Sequence, residues 1–362
     1  MKKILVFLFL FVSLVSSAQD NRFECDDTCS PEETGQVTYN VVSPVGFSTV
    51  EPIIMAPRLN TLDGKTIAIV GEDFMYNITH PALKQLIKEN YPTAKVIMYD
   101  ELPIAGPYPA PGIVRQSTEE FRQRLIDLKV DAVIAGNGGC GICTPKETGS
   151  CIVAEKLGIP SVIVTAPGFD EEARYTARNN GVPVLRVAVY PGAFASHTEE
   201  QLVKNTREVT WPQIVKALTT PISQDEYSAT QAAQGITDDV FHGTLDEIYA
   251  YFQKMGWSDG APFCPPTYHK VKEYLDYTDH AWDETIAVLP AAFRQTTTWH
   301  VAVNACMAGC KPEYMPILIA MTKAMAGGDF RRTLQSTHAW VPYSWLNGPV
   351  ARQLGISCGQ GE

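Results

Sequence analysis

The chain lacks the signatures of several large functional classes. No Gly-x-Gly-x-x-Gly follows its first predicted strand and no Walker A sequence occurs, so a tightly bound dinucleotide or nucleoside triphosphate has no support. No basic cluster is interleaved with aromatics, and a net charge of -11 over 362 residues argues against a nucleic-acid surface. Low-complexity tracts and short-period repeats are missing, which excludes arrays and solenoids. His300 and His338 have no His-x-x-x-His or paired Cys-x-x-Cys spacing around them, so a zinc site has less support than structural roles. Beyond residue 18 no apolar run is long enough to cross a bilayer.

What is present begins with Lys2-Lys3, the apolar run Ile4 to Val12 and the small residues Ser16-Ser17-Ala18, the three regions of a secretory signal peptide. Residues 1–18 are expected to be removed after Ala18, and no cysteine follows to carry a lipid anchor. The mature protein is therefore expected to be periplasmic or secreted, without membrane association. In that compartment Cys25 and Cys29, in a polar acidic segment, read as a local disulfide.

Residues 19–58 contain Pro44, Pro52 and Pro57 and little periodicity, and are expected to be an extended arm over the first domain. From Lys65 the pattern is βαβ: a strand at Thr66 to Gly71, a helix at Pro81 to Glu89, and a strand at Ala94 to Tyr99. An amphipathic helix at Glu119 to Leu128 follows, with strands at Val130 to Ala135, Ser161 to Thr165 and Val184 to Val189. This alternation predicts an α/β fold over residues 59–220, a doubly wound, mostly parallel sheet of Rossmann-like or flavodoxin-like type. A polar linker is placed at 221–234. Residues 235–362 are expected to form a second, α-rich α+β domain, opened by the capping box of Thr244 and Glu247.

The stretch Gly136-Asn137-Gly138-Gly139-Cys140-Gly141-Ile142-Cys143-Thr144 puts two thiols in a glycine-rich turn between a strand and a helix. Thr144 is expected to cap the helix, with Pro145 at its first position, Glu147 completing a capping box and Gly158 ending it. A helix N-terminus favours an anion and so lowers the pH at which a thiolate forms. Gly138, Gly139 and Gly141 leave room for a substrate, and Asn137 and Thr144 lie beside it. Such a Cys-x-x-Cys is also compatible with a structural disulfide or half of a metal site.

The segment Asp131 to Phe169, DAVIAGNGGCGICTPKETGSCIVAEKLGIPSVIVTAPGF, resembles the active-site region of the UGSC family, named for a Sec-Gly-Ser-Cys motif in the same strand–turn–helix setting. It is more distantly similar to the selenocysteine-bearing subunit of glycine and proline reductases. The resemblance implies that Cys140 stands in the place of selenocysteine or its cysteine substitute and that Cys143 is the partner thiol. Ile142 stands where the family motif has serine. The resemblance is read past residue 240, because Trp257 to Pro262, Asn304 to Tyr314 and Asn347 to Ala351 are similar to the domain that accompanies the motif in longer members.

In doubly wound sheets ligands bind beyond the carboxyl ends of the strands. That edge is expected to gather Cys140, the Thr165 turn, the Gly71-Glu72-Asp73 turn and the Tyr190-Pro191-Gly192 turn. Glu72 and Asp73 are candidates for holding a cationic group or for acid–base work, against helix capping as the plainer role. His197 is a candidate general acid or a cation beside the thiol, or a surface cap. Pro103 to Pro111 is read as a lid or a rigid crossover. Gly309 and Pro312 break the helix between Cys306 and Cys310, which leaves Cys306 to core packing and Cys310 as a substrate contact or further redox thiol. Ending in a glycine-rich turn, the second domain reads as truncated, to be covered by a homo-oligomer or a missing C-terminal chain.

Three functional readings follow. In the first, a thiol-dependent oxidoreductase attacks a small-molecule electrophile or disulfide with Cys140 and resolves the adduct with Cys143, needing no cofactor beyond an external dithiol, either a reductant protein or a low-molecular-weight thiol. An oxidising compartment makes that reductant partner essential. In the second, the Cys-x-x-Cys and Cys151 capture a soft metal or organometal. In the third, a periplasmic small-molecule binding protein uses the same crevice and its cysteines are structural.

Overall fold

The computed structural model describes residues 8–9, 37–102, 114–228, 235–290, 293–327 and 343–356. Two compact units emerge, one carrying Val50–Ala232 and the other combining residues up to Thr49 with most of those from Ala233 onward. Most of the expected leader, Cys25, Cys29, the Pro103 to Pro111 loop and His338 lie outside the described residues.

The first unit is α/β. Its elements are β1 (Thr66–Val70), α1 (Tyr76–Asn90), β2 (Lys95–Ile97), α2 (Val114–Asp127), β3 (Ala132–Gly138), α3 (Cys143–Lys156), β4 (Ser161–Thr165), α4 (Asp170–Asn179), β5 (Val187–Val189), α5 (Glu199–Asn205) and α6 (Trp211–Thr219). The strands form one parallel sheet in the order β2-β1-β3-β4-β5, the flavodoxin-like variant of the doubly wound fold. The order reverses between β1 and β3, and it is there that such sheets open a crevice.

Strand alternation builds a core on each face. Ala68, Val70, Val133, Ala135 and Ile163 pack with Phe121, Leu125, Cys151 and Ala173 on one side. Ile67, Ile69, Ala132, Ile134 and Val162 pack with Leu83, Leu86, Ile87, Trp211 and Ile214 on the other. Helix α1 begins at Tyr76 and encloses Pro81, instead of starting at Pro81 as expected. Met75 precedes it at φ 58° with no side-chain cap. The added turn buries Thr79 and His80, and the helix as a whole buries Leu83, Leu86 and Ile87, each contributing about 1.5–3 kcal/mol.

The expected arm is divided. Residues 50–58 belong to the α/β unit, where Ile53 N–H donates to Gly181 O at 2.8 Å and Arg58 meets Glu155 at 2.8 Å. Thr38–Val42 belongs to the second unit and pairs antiparallel with Asp239–Thr244. Within the expected linker, Gln224–Ser228 is a short helix of the α/β unit, whose Glu226 pairs with Arg186.

The second unit is built from helices and small antiparallel sheets. Thr285–Leu289 pairs with Arg294–Thr297, which in turn pairs with Phe47–Ser48. Helices Tyr268–Leu275, Thr298–Met307 and Met315–Met325 bury Val271, Tyr274, Trp299, Cys306 and Met315. The Thr244 capping box forms as read, with Thr244 Oγ1 accepting from Glu247 N–H. His300 spends its Nδ1 on Thr297, accepting from Thr297 N–H at 3.2 Å, and burial pushes its pKa down to about 4.

Candidate functional site

Strand β3 runs to Gly138, buried throughout, and delivers Cys140 to the carboxyl edge of the sheet beside the switch point. Cys140 and Cys143 are joined as a disulfide, with a Cα–Cα distance of 5.4 Å. Helix α3 starts one residue before the expected cap: Cys143 is its first residue and Ile142 precedes it without a side-chain cap. The cap that Thr144 was expected to provide is supplied by sulfur and backbone instead. Cys143 N–H donates to Cys140 Sγ at 3.0 Å, and Thr144 N–H donates to Cys140 O at 3.0 Å. Pro145 then falls third in the helix, still in the first turn, where its missing N–H costs no intrahelical bond. The far end is as read, with Gly158 in the left-handed region at φ 78°.

Glu147 is likewise no capping residue. Its side chain turns inward beneath the end of β1, where a Cβ on Gly71 would strike Gly136 O and Glu147 Oε2. Lys146 Nζ pairs with Asp73 at 2.8 Å and approaches Glu147 Oε1 at 3.3 Å without hydrogen-bond alignment. Burial pushes the Glu147 carboxyl up to about 8, with Lys146 opposing and the neighbouring Asp73 carboxylate adding to the shift. Burial acts to lower the Lys146 ammonium, but Glu147 and Asp73 outweigh it and its pKa is raised. Asp73 is thus engaged by a cation of the chain itself, while Glu72 is exposed.

Around the end of β3 three buried polar atoms lack protein partners: Asn137 Oδ1, Thr144 Oγ1 and Thr165 Oγ1. Their residues are at most 1% exposed. Gly138 links them, since it pairs with Thr165 across the sheet and a Cβ on it would lie 3.0 Å from Thr144 Oγ1. An unpaired buried polar group costs about 1–3 kcal/mol, so three at one strand end form a reserve of hydrogen-bonding capacity. The other end of the Asn137 side chain is structural, its Nδ2 donating to Phe74 O at 2.7 Å and Thr79 Oγ1 at 2.9 Å. Gly139 lies under the Phe74 ring, 3.2 Å from where its Cβ would be, and Gly141 is buried beside Cys140.

His197 lies apart from this group. Its Nδ1 meets Tyr190 Oη at 2.6 Å and Asn205 Nδ2 at 3.3 Å, beyond the end of β5, two strands from β3. Two strand spacings are about 10 Å, so closeness in sequence to the Tyr190 turn did not translate into contact with the thiols. Cys310 belongs to the second unit, half-buried and with its thiol pKa raised by burial. Cys151 is fully buried in the core.

Sequence reasoning missed His80, Phe74, Lys146 and the inward role of Glu147. His80 Nε2 meets the Gly71 carbonyl at 3.1 Å, and burial holds its pKa down to about 4, so the ring is neutral and donates to that oxygen. The signal available was their place in the connections and opening helix turns that follow β1 and β3, once those strands were known to be neighbours.

The UGSC family profile matches residues 40–220, which is half of the chain. The match ends before the second-domain segments Trp257 to Pro262, Asn304 to Tyr314 and Asn347 to Ala351, so the likeness read there lies outside it. No curated protein and no solved structure matches the chain. With the Cys-x-x-Cys turn inside the matched residues and half of the chain covered, this protein belongs to the UGSC family.

Proposed function

We propose that the chain is a thiol-dependent redox enzyme, acting outside the cytoplasm on a small-molecule electrophile or disulfide. One observation carries this reading: Cys140 and Cys143 are at disulfide distance at the switch point, with the Cys143 amide donating to Cys140 Sγ. In the forward step the Cys140 thiolate attacks one sulfur of a disulfide, forming a mixed disulfide and releasing one thiolate. Cys143 gives up its proton and attacks Cys140 Sγ, forming the Cys140–Cys143 disulfide and releasing the second thiolate. An external dithiol, oxidised in turn, resets the pair.

The unpartnered Thr144, Thr165 and Asn137 oxygens suit a substrate that donates hydrogen bonds close to the thiol. The thiolate released first takes the proton that Cys143 gives up, because Glu147, pushed up by burial to about 8, already holds one at neutral pH. Soft-metal capture is less well supported. Cys151 is eight residues beyond Cys143 on α3, about 12 Å along the axis. Among the described residues no three His, Cys, Asp or Glu side chains are grouped to hold a metal ion.

The test is reaction of the reduced protein with oxidised glutathione, followed by mass spectrometry. Cys143→Ser should accumulate a stable glutathione adduct on Cys140, Cys140→Ser should form none on Cys143, and the wild type should release two thiols per closed disulfide. Equal, slow reaction of wild type and both variants would overturn the assignment.

A further inference from the structure

The second unit holds another pair of thiols. Cys306, fully buried near the end of helix Thr298–Met307, points its Sγ at Cys264 Sγ across 3.7 Å. Cys264 is half-buried on the segment before helix Tyr268–Leu275, and its backbone N–H donates to Met307 O at 3.2 Å, which fixes the segment against the helix end. Sulfurs in contact need to approach by about 1.7 Å more to reach the bonded distance near 2.05 Å.

From this geometry we propose that Cys264 and Cys306 form a second thiol–disulfide site, with Cys264 as the attacking sulfur and Cys306 as the resolving one, acting on small-molecule disulfides. The two sulfurs differ in the way such a pair requires. Cys264 receives the Cys306 S–H, lies near Lys270, and has its thiol pKa lowered chiefly by that hydrogen bond. Cys306 is held protonated by the same bond and by burial. The half-buried partner is thus the nucleophile and the fully buried one is out of reach of an outside disulfide.

The chemistry balances with a low-molecular-weight disulfide as oxidant. Cys264 thiolate attacks it, forming a mixed disulfide and releasing one thiolate. That thiolate, or water, takes the proton of Cys306, whose sulfur attacks Cys264 Sγ and releases the second thiol. Two protein thiols are oxidised and one small disulfide is reduced to two thiols.

The experiment titrates the full-length reduced protein with mixtures of reduced and oxidised glutathione, blocks free thiols and maps a tryptic digest. Cys264 falls in peptide 255–270, Cys306 together with Cys310 in 295–323, and Cys140 with Cys143 in 130–146. The expected result is a linked species of 255–270 with 295–323, fragmenting at Cys306 and retained in Cys310→Ser. In Cys306→Ser, Cys264 should instead carry glutathione. Wild-type protein that shows both thiols blocked and unlinked at every ratio, or a link through Cys310, would overturn the proposal. The Cys140–Cys143 link is read in its own peptide, so failure of one site does not disguise failure of the other.

Discussion

At the scale of single residues, Glu147 is where burial, charge and chemistry meet. Its folded pKa of about 8 lies above the ordinary carboxyl value of 4.5, so between those values the folded state holds a proton that the unfolded chain has lost. The resulting stability is fully present below pH 4.5 and is lost as pH rises through 8. Glu172, half-buried and raised by burial to about 7, adds in the same direction. Glu147→Gln should therefore flatten the fall in thermal midpoint between pH 5 and 8, by an amount equivalent to a few kcal/mol, on the order given by proton linkage. Midpoints that fall equally steeply in variant and wild type would show that Glu147 is not the titrating group. Sequence alone could not reveal this, because the Thr144 to Glu147 spacing fits a capping box equally well. Only the adjacency of β1 and β3, a long-range fact, turns the carboxyl inward.

Among the elements, α3 is held at both ends by groups from distant segments. At its start the cysteine turn supplies the cap. In its last turn Glu155 accepts from Ser161 N–H at 2.8 Å, Ser161 Oγ at 2.9 Å, Ala56 N–H at 3.2 Å and Arg58 Nη1 at 2.8 Å, all inside the unit. Arg58 is 1% exposed in its side chain, so Glu155→Ala leaves a buried guanidinium without its carboxylate. Such a loss costs about 3–5 kcal/mol, and denaturant unfolding should show a shift of that size; a change below about 1 kcal/mol would mean that water replaces the pair. Strands and helices were legible wherever an apolar run met a glycine or a cap, as at Ser161 to Thr165, Thr244 and Gly158. The starts of α1 and α3 were not, since one is set by a left-handed Met75 and the other by a sulfur acceptor, neither of which leaves a pattern in spacing. The partners of His197 were not legible either, since Tyr190 and Asn205 meet its ring beyond the end of β5, two strands from β3.

For the whole molecule, protection should follow the order of the sheet. Backbone amides of β1, β3 and β4, which have strands on both sides, should exchange hydrogen most slowly, and those of β2 and β5 at the edges faster. Hydrogen-exchange mass spectrometry reporting equal protection across the five strands would contradict this. The α/β class was readable from the alternation of strands and helices, but the split of the N-terminal arm was not, because Thr38–Val42 finds its partner only through Asp239–Thr244. That pairing has a consequence for biosynthesis. The two strands are roughly 200 residues apart, so at about 5–20 residues per second the first waits some 10–40 s for the second to leave the ribosome. All five strands of the parallel sheet are synthesised within that interval, the last of them ending at Val189, so vectorial folding can complete the inserted unit before the one that encloses it in sequence.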